Sequence, residues 1–380
     1  MPKNRKKPMI LLVIIIILYI FLKFSQRPKH KLHESFIFNK TLKSTSNEYI
    51  LHSDCYCQKE IIHIKNIDNE YYKIIVRNYN ELFYHTYNIT KKKFESLALT
   101  CNLYNVLRRG PNQKILSYSI NQLDQFEYNQ FLNRLGDRLQ FVKLNYKNWR
   151  IRVYHNIFLD KNTICEKQCL KDTNGDLYDN VDFCNIAQMP QGVFDTWDAE
   201  FVLPEMWKWF PLGDDFVERV APRNTGTCLL KREVDAVNEW VKSRKTFHFM
   251  RDHPSQDKVI QEGQWGVYTR LDRSISRYLF SLATDEHVAD FYGTLNGLSE
   301  NLLRDYVWPL SKVENTFSHD SYYCDKYNAM SFPSRRISNC YVGSTHCCDG
   351  ILNENLNNEQ SHVCPEACRP LSYQGEWIFC

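Results

Sequence analysis

Hydrophobic and polar positions follow two different periods between residues 100 and 323. Segments that are β-prone or apolar at every second position predict short strands, and they lie at 114–120, 149–154, 181–184, 215–220 and 246–250. Apolar side chains at helical spacing predict helices over 128–144, 231–242 and most of 282–303. Strands that alternate with helices predict an α/β fold. In such folds ligands bind at the carboxyl ends of the strands.

The amino-terminal region has a different pattern. Residues 9–22 form an apolar run of 14 residues, and basic residues lie on both sides of it. Such a run fits either a cleavable signal peptide or an uncleaved signal anchor. The segment that follows, K-F-S-Q-R-P-K-H, lacks the small-x-small pair of a cleavage site, which favours the anchor. With residues 1–8 cytoplasmic by the positive-inside rule, the body would be lumenal, as in a type II protein of the Golgi or ER membrane.

Charge and composition exclude some partners. The chain has 380 residues, 43% of them hydrophobic, which is enough for a substantial core. Its formal charge is +4, but residues 1–33 carry eight basic side chains and no acidic one, which leaves about −4 for the rest. We therefore expect no nucleic-acid partner.

The 14 cysteines and two sequons agree with a lumenal body. All of the cysteines lie outside the apolar run, and in an oxidising lumen they predict disulfides, since their spacing does not match a zinc module. Seven of them fall between 324 and 380, so full oxidation would tie this tail to the upstream body at least once. Asn39 and Asn88 are candidate glycosylation sites. The predicted regions are a cytoplasmic segment (1–8), an anchor (9–24), a lumenal stem (25–99), an α/β domain (100–323) and a disulfide-rich extension (324–380). The stem is expected to merge into the domain, with short strands near Ile61 to Ile75.

Polar residues follow several predicted strands. They are His155-Asn156, the R-N-T-G-T corner at 223–227, and the R-D-H-P segment at 251–254. Two further segments, E-G-Q-W-G at 262–266 and H-D-S-Y at 319–322, place glycines beside a tryptophan and a histidine beside an aspartate. Each of these is a candidate ligand site. Each is also compatible with a turn, a buried indole or a local ion pair, because Asn, Asp, Gly and Pro favour turns for backbone reasons.

The order of these segments resembles a group of poorly characterised animal type II membrane proteins. That family has a GT-A-like, nucleotide-diphospho-sugar transferase fold, a Rossmann-type mixed sheet flanked by helices. The resemblance covers roughly residues 100–380. It rests on Y-N-V-L-R-R-G-P-N-Q-K-I-L-S-Y-S-I (104–120), N-W-R-I-R-V-Y-H-N (148–156), V-D-F-C-N (181–185), M-W-K-W-F-P-L-G-D (206–214), the corner and the helix after it, F-H-F-M-R-D-H-P (247–254), W-G (265–266), H-D-S-Y (319–322) and the ending C-P-E-A-C-R-P…W-I-F-C.

The resemblance implies a ligand corner with altered metal ligands. The family's corner resembles R-D-x-D-S, whose carboxylates would hold Mn²⁺ or Mg²⁺ against a sugar-nucleotide diphosphate. Here those positions are Asn224 and Gly226, and the family's Y-H-D and G-G-M-W-G become Y-H-N and E-G-Q-W-G. Without both carboxylates, metal binding at the corner should be crippled unless Asp252, His319 or Asp320 compensates.

The resemblance also implies roles for the residues at this site, both retained and altered. Asp252 and His253 are the candidate catalytic residues, and His319 and Asp320 are weak metal candidates. The candidate donor-binding residues are Arg223, Asn224, Gly226, Arg251, Trp265 and Gly266. Two hypotheses follow. The first is a transferase that moves a sugar from a nucleotide donor to a lumenal glycan or protein, with a cation such as Arg223 or Arg251 replacing the metal. The second is a catalytically inactive protein of the same fold that binds glycans or partners. The α/β pattern argues against a third, an unrelated adhesion module.

Overall fold

The computed structural model of the chain describes residues 43–45, 48–78, 83–121, 124–156, 161–191, 195–293, 297–337, 340–345 and 362–380. All of these residues belong to one unit, Phe38–Cys380. The predicted anchor at 9–24 and the sequon at Asn39 lie outside the described residues. Within the described residues, no helix is both long enough and apolar enough to cross a bilayer.

An antiparallel sheet forms where a lumenal stem was predicted. Its strands pair in sequence order, β1 (Lys43–Thr45), β2 (Glu48–His52), β3 (Glu60–Asn66), β4 (Tyr71–Asn78) and β5 (Phe83–Thr90). Ile62 and Ile64 of β3 face Val76 and Ile74 of β4, and all four side chains are buried. They share a core cluster with Val106 and Leu107, which belong to the following helical region. The described residues from 48 onward are therefore part of the folded body.

A seven-stranded mixed sheet forms the centre of the fold, in the order β14-β12-β13-β11-β6-β7-β8. Six strands run in the same direction, and β13 is antiparallel to both of its neighbours. A separate two-stranded ribbon pairs β9 with β10. The strands are β6 (Gln113–Ile120), β7 (Trp149–His155), β8 (Val181–Asn185), β9 (Met189–Gln191), β10 (Asp195–Trp197), β11 (Val217–Pro222), β12 (Phe247–Arg251), β13 (Trp265–Tyr268) and β14 (Thr316–Asp320).

Helices cover both faces of this sheet. The α-helices are α1 (Lys91–Glu95), α2 (Leu103–Arg109), α3 (Gln125–Asn133), α4 (Leu135–Asn145), α5 (Lys161–Gln168), α6 (Pro204–Trp207), α7 (Lys231–Ser243), α8 (Arg273–Ala283), α9 (Glu286–Tyr292), α10 (Leu298–Leu302) and α11 (Cys324–Tyr327). A π-helical turn spans Leu303–Val307, and 3-10 turns span Ile186–Gln188, Phe210–Gly213, Trp308–Leu310, Glu366–Cys368 and Leu371–Tyr373. The predicted α/β fold with a mixed sheet flanked by helices is confirmed, although the helix predicted over 128–144 is divided at Arg134.

Two hydrophobic cores lie on opposite faces of the mixed sheet. Ile115 of β6 belongs to the core that also contains the N-terminal sheet, whereas its neighbour Leu116 belongs to the other core. The same division separates Val220 from Ala221 in β11, because successive side chains of a strand point to opposite faces. Strands buried on both faces read as short apolar runs, which is the pattern that predicted them.

Disulfides join distant parts of the chain, as the cysteine count predicted. The pairs defined among the described residues are Cys55–Cys165, Cys57–Cys169, Cys101–Cys184, Cys324–Cys368 and Cys364–Cys380. The first two connect the N-terminal sheet to the region of α5, so this sheet is covalently fixed to the body. Cys228 and Cys340 are also disulfide-bonded.

Gly266 of β13 is packed too closely to accept a side chain. A methyl group at this position would lie 2.9 Å from the Trp240 ring and 3.1 Å from the carbonyl oxygen of Val220. We predict that Gly266→Ala lowers the free energy of unfolding by about 1–3 kcal/mol, measured by urea denaturation. Gly136→Ala is the control, since nothing lies within 4 Å of the added carbon in α4, and it should be neutral or stabilise by up to about 1 kcal/mol. Equal stability of the two variants would contradict this packing.

Candidate functional site

The carboxyl ends of the parallel strands meet at one edge of the mixed sheet, where the sequence predicted the ligand site. Asn121 follows β6 and Asn156 follows β7, and the amide Nδ2 of Asn156 donates to Oδ1 of Asn121 at 3.0 Å. The R-N-T-G-T corner follows β11, Asp252 follows β12, and the segment before β13 approaches the same edge from the opposite direction. The structure thus brings most of the predicted residues to one edge, but it gives them different surroundings.

Arg223 is a structural residue of the corner. Its side chain is buried, and its Nε donates to Glu233 Oε1 of α7 at 2.7 Å. Its Nη1 donates to the carbonyl oxygens of Pro222 and Trp265, at 2.8 and 3.0 Å. Tyr146 donates to the same Glu233 oxygen at 2.7 Å. The guanidinium therefore joins the end of β11 to the start of α7, and its predicted contact with a donor is not supported by this placement.

Asn224 of the corner belongs to a cluster of three polar groups. The ammonium Nζ of Lys208 donates to Asn224 Oδ1 at 2.8 Å and to Glu262 Oε1 at 2.5 Å. The Lys208 side chain is 6% exposed and that of Glu262 is 26% exposed. Gly263, at φ +73°, fixes the approach, because a side-chain carbon there would lie 2.8 Å from Asn224 Cγ. We call Lys208, Asn224 and Glu262 the corner cluster.

The second half of the corner faces a helix and the C-terminal extension. Thr225 Oγ1 donates to Glu127 Oε2 at 3.1 Å, and a side-chain carbon at Gly226 would lie 3.7 Å from Gln130 Oε1 and 3.8 Å from Thr345 Cγ2. The amide of Cys228 donates to the Ser344 carbonyl at 3.2 Å. Residues 342–345 therefore lie over this part of the corner.

Asp252, the predicted general base, is fully buried and receives hydrogen bonds on both carboxylate oxygens. Arg232 of α7 binds it through two nitrogens, each at 3.0 Å, and Arg336 donates at 2.9 Å. Ser321 and the amide of Val342 add bonds of 2.5 and 2.9 Å. Burial alone would raise the pKa of Asp252, but the two guanidinium groups outweigh burial and hold it at about 2. A carboxylate in these surroundings is unsuited to accept a substrate proton, so the role predicted for it does not fit its geometry.

Arg251 and Asp320 form a second buried ion pair. The Nε of Arg251 donates to Asp320 Oδ2 at 2.5 Å, and both side chains are 0% exposed. The other oxygen of Asp320 accepts the amides of Tyr322 and Tyr323, at 2.8 and 2.7 Å. Arg251 also donates to the Val259 carbonyl at 2.6 Å. The pair joins the ends of β12 and β14.

The histidines at this end of the fold have separate environments. His319 is buried, with its Nε2 3.0 Å from Glu239 Oε2 and its Nδ1 3.0 Å from Nε2 of His248. His253 is partly exposed, and its ring stacks on Tyr341 with 4.2 Å between ring centroids. Of the two predicted catalytic residues, His253 is the accessible one, and its Nδ1 lies 2.7 Å from the Ser255 hydroxyl.

Trp265 and Gly266 are packing residues. The Trp265 ring is fully buried and packs edge-on against Trp209, with 4.8 Å between ring centroids. Gly266 allows Trp240 to approach β13. The contacts described for both residues are packing contacts with neighbouring tryptophans.

The residues at this edge do not fit the divalent metal that the family resemblance implies. At the corner, the amide oxygen of Asn224 and a carboxylate oxygen of Glu262 are both engaged by the Lys208 ammonium. Among the described residues, Asp320, Cys324 and Cys368 also lie close enough together to suggest a metal site. Cys324 and Cys368 are bonded to each other, however, so neither sulfur is a thiolate ligand. Both nitrogens of His319 already have partners.

Comparisons with known proteins do not identify the chain. It matches no protein-family model, and no curated protein matches it significantly.

Three important residues were missed by the sequence prediction. Lys208 lies in the aromatic M-W-K-W-F segment. Arg232 belongs to the Lys231-Arg232 pair at the start of α7 and Arg336 to the Arg335-Arg336 pair, and neither pair indicates a buried partner by its sequence. A lysine between two buried tryptophans was the available signal, because it must find an acceptor or reach solvent. Asn88, a predicted glycosylation site, is exposed on β5, as modification would require.

The ion pairs around Asp252 should contribute strongly to stability. We predict that Asp252→Asn lowers the free energy of unfolding by about 3–5 kcal/mol, because two buried guanidinium groups lose their counter-charge. Thermal and urea denaturation measure this loss. Asp235→Asn is the matched control, since Asp235 pairs with Lys231 on the surface of α7 and should contribute about 0.5 kcal/mol or less. A loss at Asp252 no larger than that of the control would refute the assignment.

Buried histidines should make stability depend on pH. Burial lowers the pKa of His155 from 6.5 to about 4. Burial, with His319 and Arg223 adding to the effect, lowers that of His248 well below its usual range. Such histidines bind a proton more readily in the unfolded chain. Their contribution is therefore complete above about pH 6.5 and decreases as the pH falls below that value.

We predict a matching decline in the free energy of unfolding between about pH 6.5 and 4, of up to about 1.4 kcal/mol per pH unit for each histidine. His155→Gln should reduce the slope, measured by urea denaturation across this range. His287→Gln, at an exposed position of α9, should leave the slope as in the wild type. A slope that His155→Gln leaves unchanged would exclude this histidine as a source.

Proposed function

We propose that the protein is a glycosyltransferase-like protein of the secretory pathway that binds a sugar nucleotide at the corner after β11 without catalysing sugar transfer. The resemblance to the GT-A-like family supports the fold and the ligand class. The disulfides agree with the oxidising lumen of the ER or Golgi, where a type II anchor would place the body. The corner lies at the carboxyl ends of parallel strands, where α/β proteins bind ligands.

The state of Asp252 carries the non-catalytic part of the proposal. This carboxylate is fully buried, and it forms ion pairs with Arg232 and Arg336. Arg223 and Arg251, the cations expected to replace the metal, are likewise buried in pairs with Glu233 and Asp320. The groups expected to perform transfer are therefore engaged in holding the fold.

A metal-independent transferase is the second candidate, and one observation favours it. Glu262 lies at the corner, is 26% exposed and has a lysine ammonium as its partner. A partly exposed carboxylate beside a cation could accept the proton of a glycan hydroxyl while the cation faces the diphosphate. The acceptor in that case would be a lumenal glycan or protein.

Nucleotide binding and turnover distinguish these functions. The full chain, produced in a secretory host, would be titrated with UDP- and GDP-sugars with and without Mn²⁺, and its Tm followed. We predict a rise in Tm that is the same without Mn²⁺, about 2–4 °C near one hundred times the Kd. We predict no release of free nucleotide and no labelled product on a mixture of glycan acceptors.

Sodium sulfate at the same ionic strength is the control for general anion effects. Release of nucleotide that depends on an acceptor would support the metal-independent transferase instead. The proposal would be abandoned if no nucleotide or nucleotide sugar changed the Tm under either condition.

A further inference from the structure

Lys208 holds a positive charge at the corner after β11. The residue follows α6, 16 positions before Asn224 in the chain, and its Nζ lies 2.8 Å from Asn224 Oδ1 and 2.5 Å from Glu262 Oε1. A buried ammonium requires acceptors or a counter-charge, and the corner supplies one of each. The positive charge at the corner is therefore supplied by a side chain of the protein itself.

The position of this ammonium is fixed by its neighbours. Trp207 and Trp209 on either side of it are each 1% exposed. The indole nitrogen of Trp207 donates to the Val202 carbonyl at 2.8 Å, and Trp209 packs on Trp265 of β13. With both flanking side chains buried, the backbone of Lys208 has little freedom, so the ammonium is preorganised at the corner.

The same arrangement disfavours a divalent cation. A metal ion there would need oxygen ligands, and Asn224 Oδ1 and Glu262 Oε1 already accept from Lys208. The ion would also lie close to an ammonium of like charge. One carboxylate cannot compensate a lysine and a divalent ion together.

We propose that Lys208 is the resident cation of this corner, where it binds the phosphate oxygens of an anionic ligand in exchange for Glu262 and makes a divalent metal unnecessary. The inference rests on the proposed function for the identity of the ligand, a nucleoside diphosphate sugar. The inferred site itself does not depend on which phosphate ligand binds, because its positive charge comes from a side chain.

The contacts of Lys208 show how the exchange would proceed. An ammonium has three N–H donors, and the described residues place two acceptors within hydrogen-bond distance of Nζ. Glu262 is 26% exposed while Lys208 is 6% exposed, so the carboxylate is the partner that can turn to solvent. A phosphate oxygen would take its place, and Glu262 would then act as a competitor of the ligand.

Opposite effects of two substitutions test this inference. Binding of inorganic pyrophosphate and of UDP to the full chain would be measured by calorimetry, with and without Mn²⁺. Lys208→Met should weaken both by about tenfold or more, because a charge-assisted hydrogen bond is lost. Glu262→Gln should strengthen both by about tenfold, because the competing charge is removed. The wild type should give the same affinities without Mn²⁺.

An exposed lysine–glutamate pair supplies the matched control. Lys258 and Glu300 form such a pair on the surface, so Lys258→Met and Glu300→Gln should leave both affinities unchanged. If Lys208→Met does not fold, Lys208→Arg, which should keep binding, and Glu262→Gln decide the test. Weaker binding in Glu262→Gln, or binding that requires Mn²⁺, would make Glu262 a metal ligand and overturn the inference.

The two proposals fail in different ways. If nucleotide sugars bind but neither Lys208→Met nor Glu262→Gln changes their affinity, the inference fails and the proposed function stands. If pyrophosphate binds with the predicted changes while no nucleotide sugar binds, the proposed function fails and the phosphate site stands. Absence of binding by all of these probes would refute both.

Discussion

The buried carboxylate of Asp252 joins parts of the chain that are far apart in sequence. Arg232 belongs to the helix after the corner, Ser321 follows β14, and Arg336 and Val342 belong to the C-terminal extension. A buried charge needs compensation from several donors at once. The position of the extension over the sheet edge therefore depends on this carboxylate. The residue that looked most like a catalytic base is the one on which the local fold depends.

Much of the fold could be predicted because the mixed sheet is buried on both faces. Its strands read as short apolar runs, and the helix Lys231–Ser243 shows a clear apolar stripe. The N-terminal sheet was predicted only in part, as short strands near Ile61 to Ile75. Its strand Glu60–Asn66 buries Ile62 and Ile64, whereas Ile61 is only partly buried and the other residues of the strand are polar. A half-buried antiparallel strand in a Lys- and Asn-rich segment resembles a linker until its partner strand is known.

The position of the site was predictable, whereas the roles of its residues were not. The carboxyl ends of the predicted strands locate the edge of the sheet where ligands bind, because the carboxyl ends of parallel strands lie at the same edge. Whether Arg251 or Arg223 faces a ligand or a carboxylate depends on Asp320 and Glu233, which a sequence motif does not connect to them. The corner cluster could not be predicted for a related reason, because no sequence motif connects Lys208 with its acceptors. Lys208 and Glu262 are 54 residues apart, and folding alone brings them together.

The corner can be compared with the metal site that it resembles by counting charges. Two carboxylates with one divalent cation are neutral, and so are one lysine and one glutamate. The substitution of carboxylate by Asn224 and the presence of Glu262 beside Lys208 are therefore consistent with each other, since each keeps the corner neutral without an ion. The two arrangements differ in the cation that would contact a diphosphate, because a monovalent ammonium attracts an anion less strongly than a divalent ion does at the same distance. The weaker attraction reduces stabilisation of the transition state more than it reduces ligand binding. Catalysis requires a strong electrostatic field at the developing charge, whereas binding requires only favourable contacts. This difference supports our proposal of a binding protein in preference to a transferase.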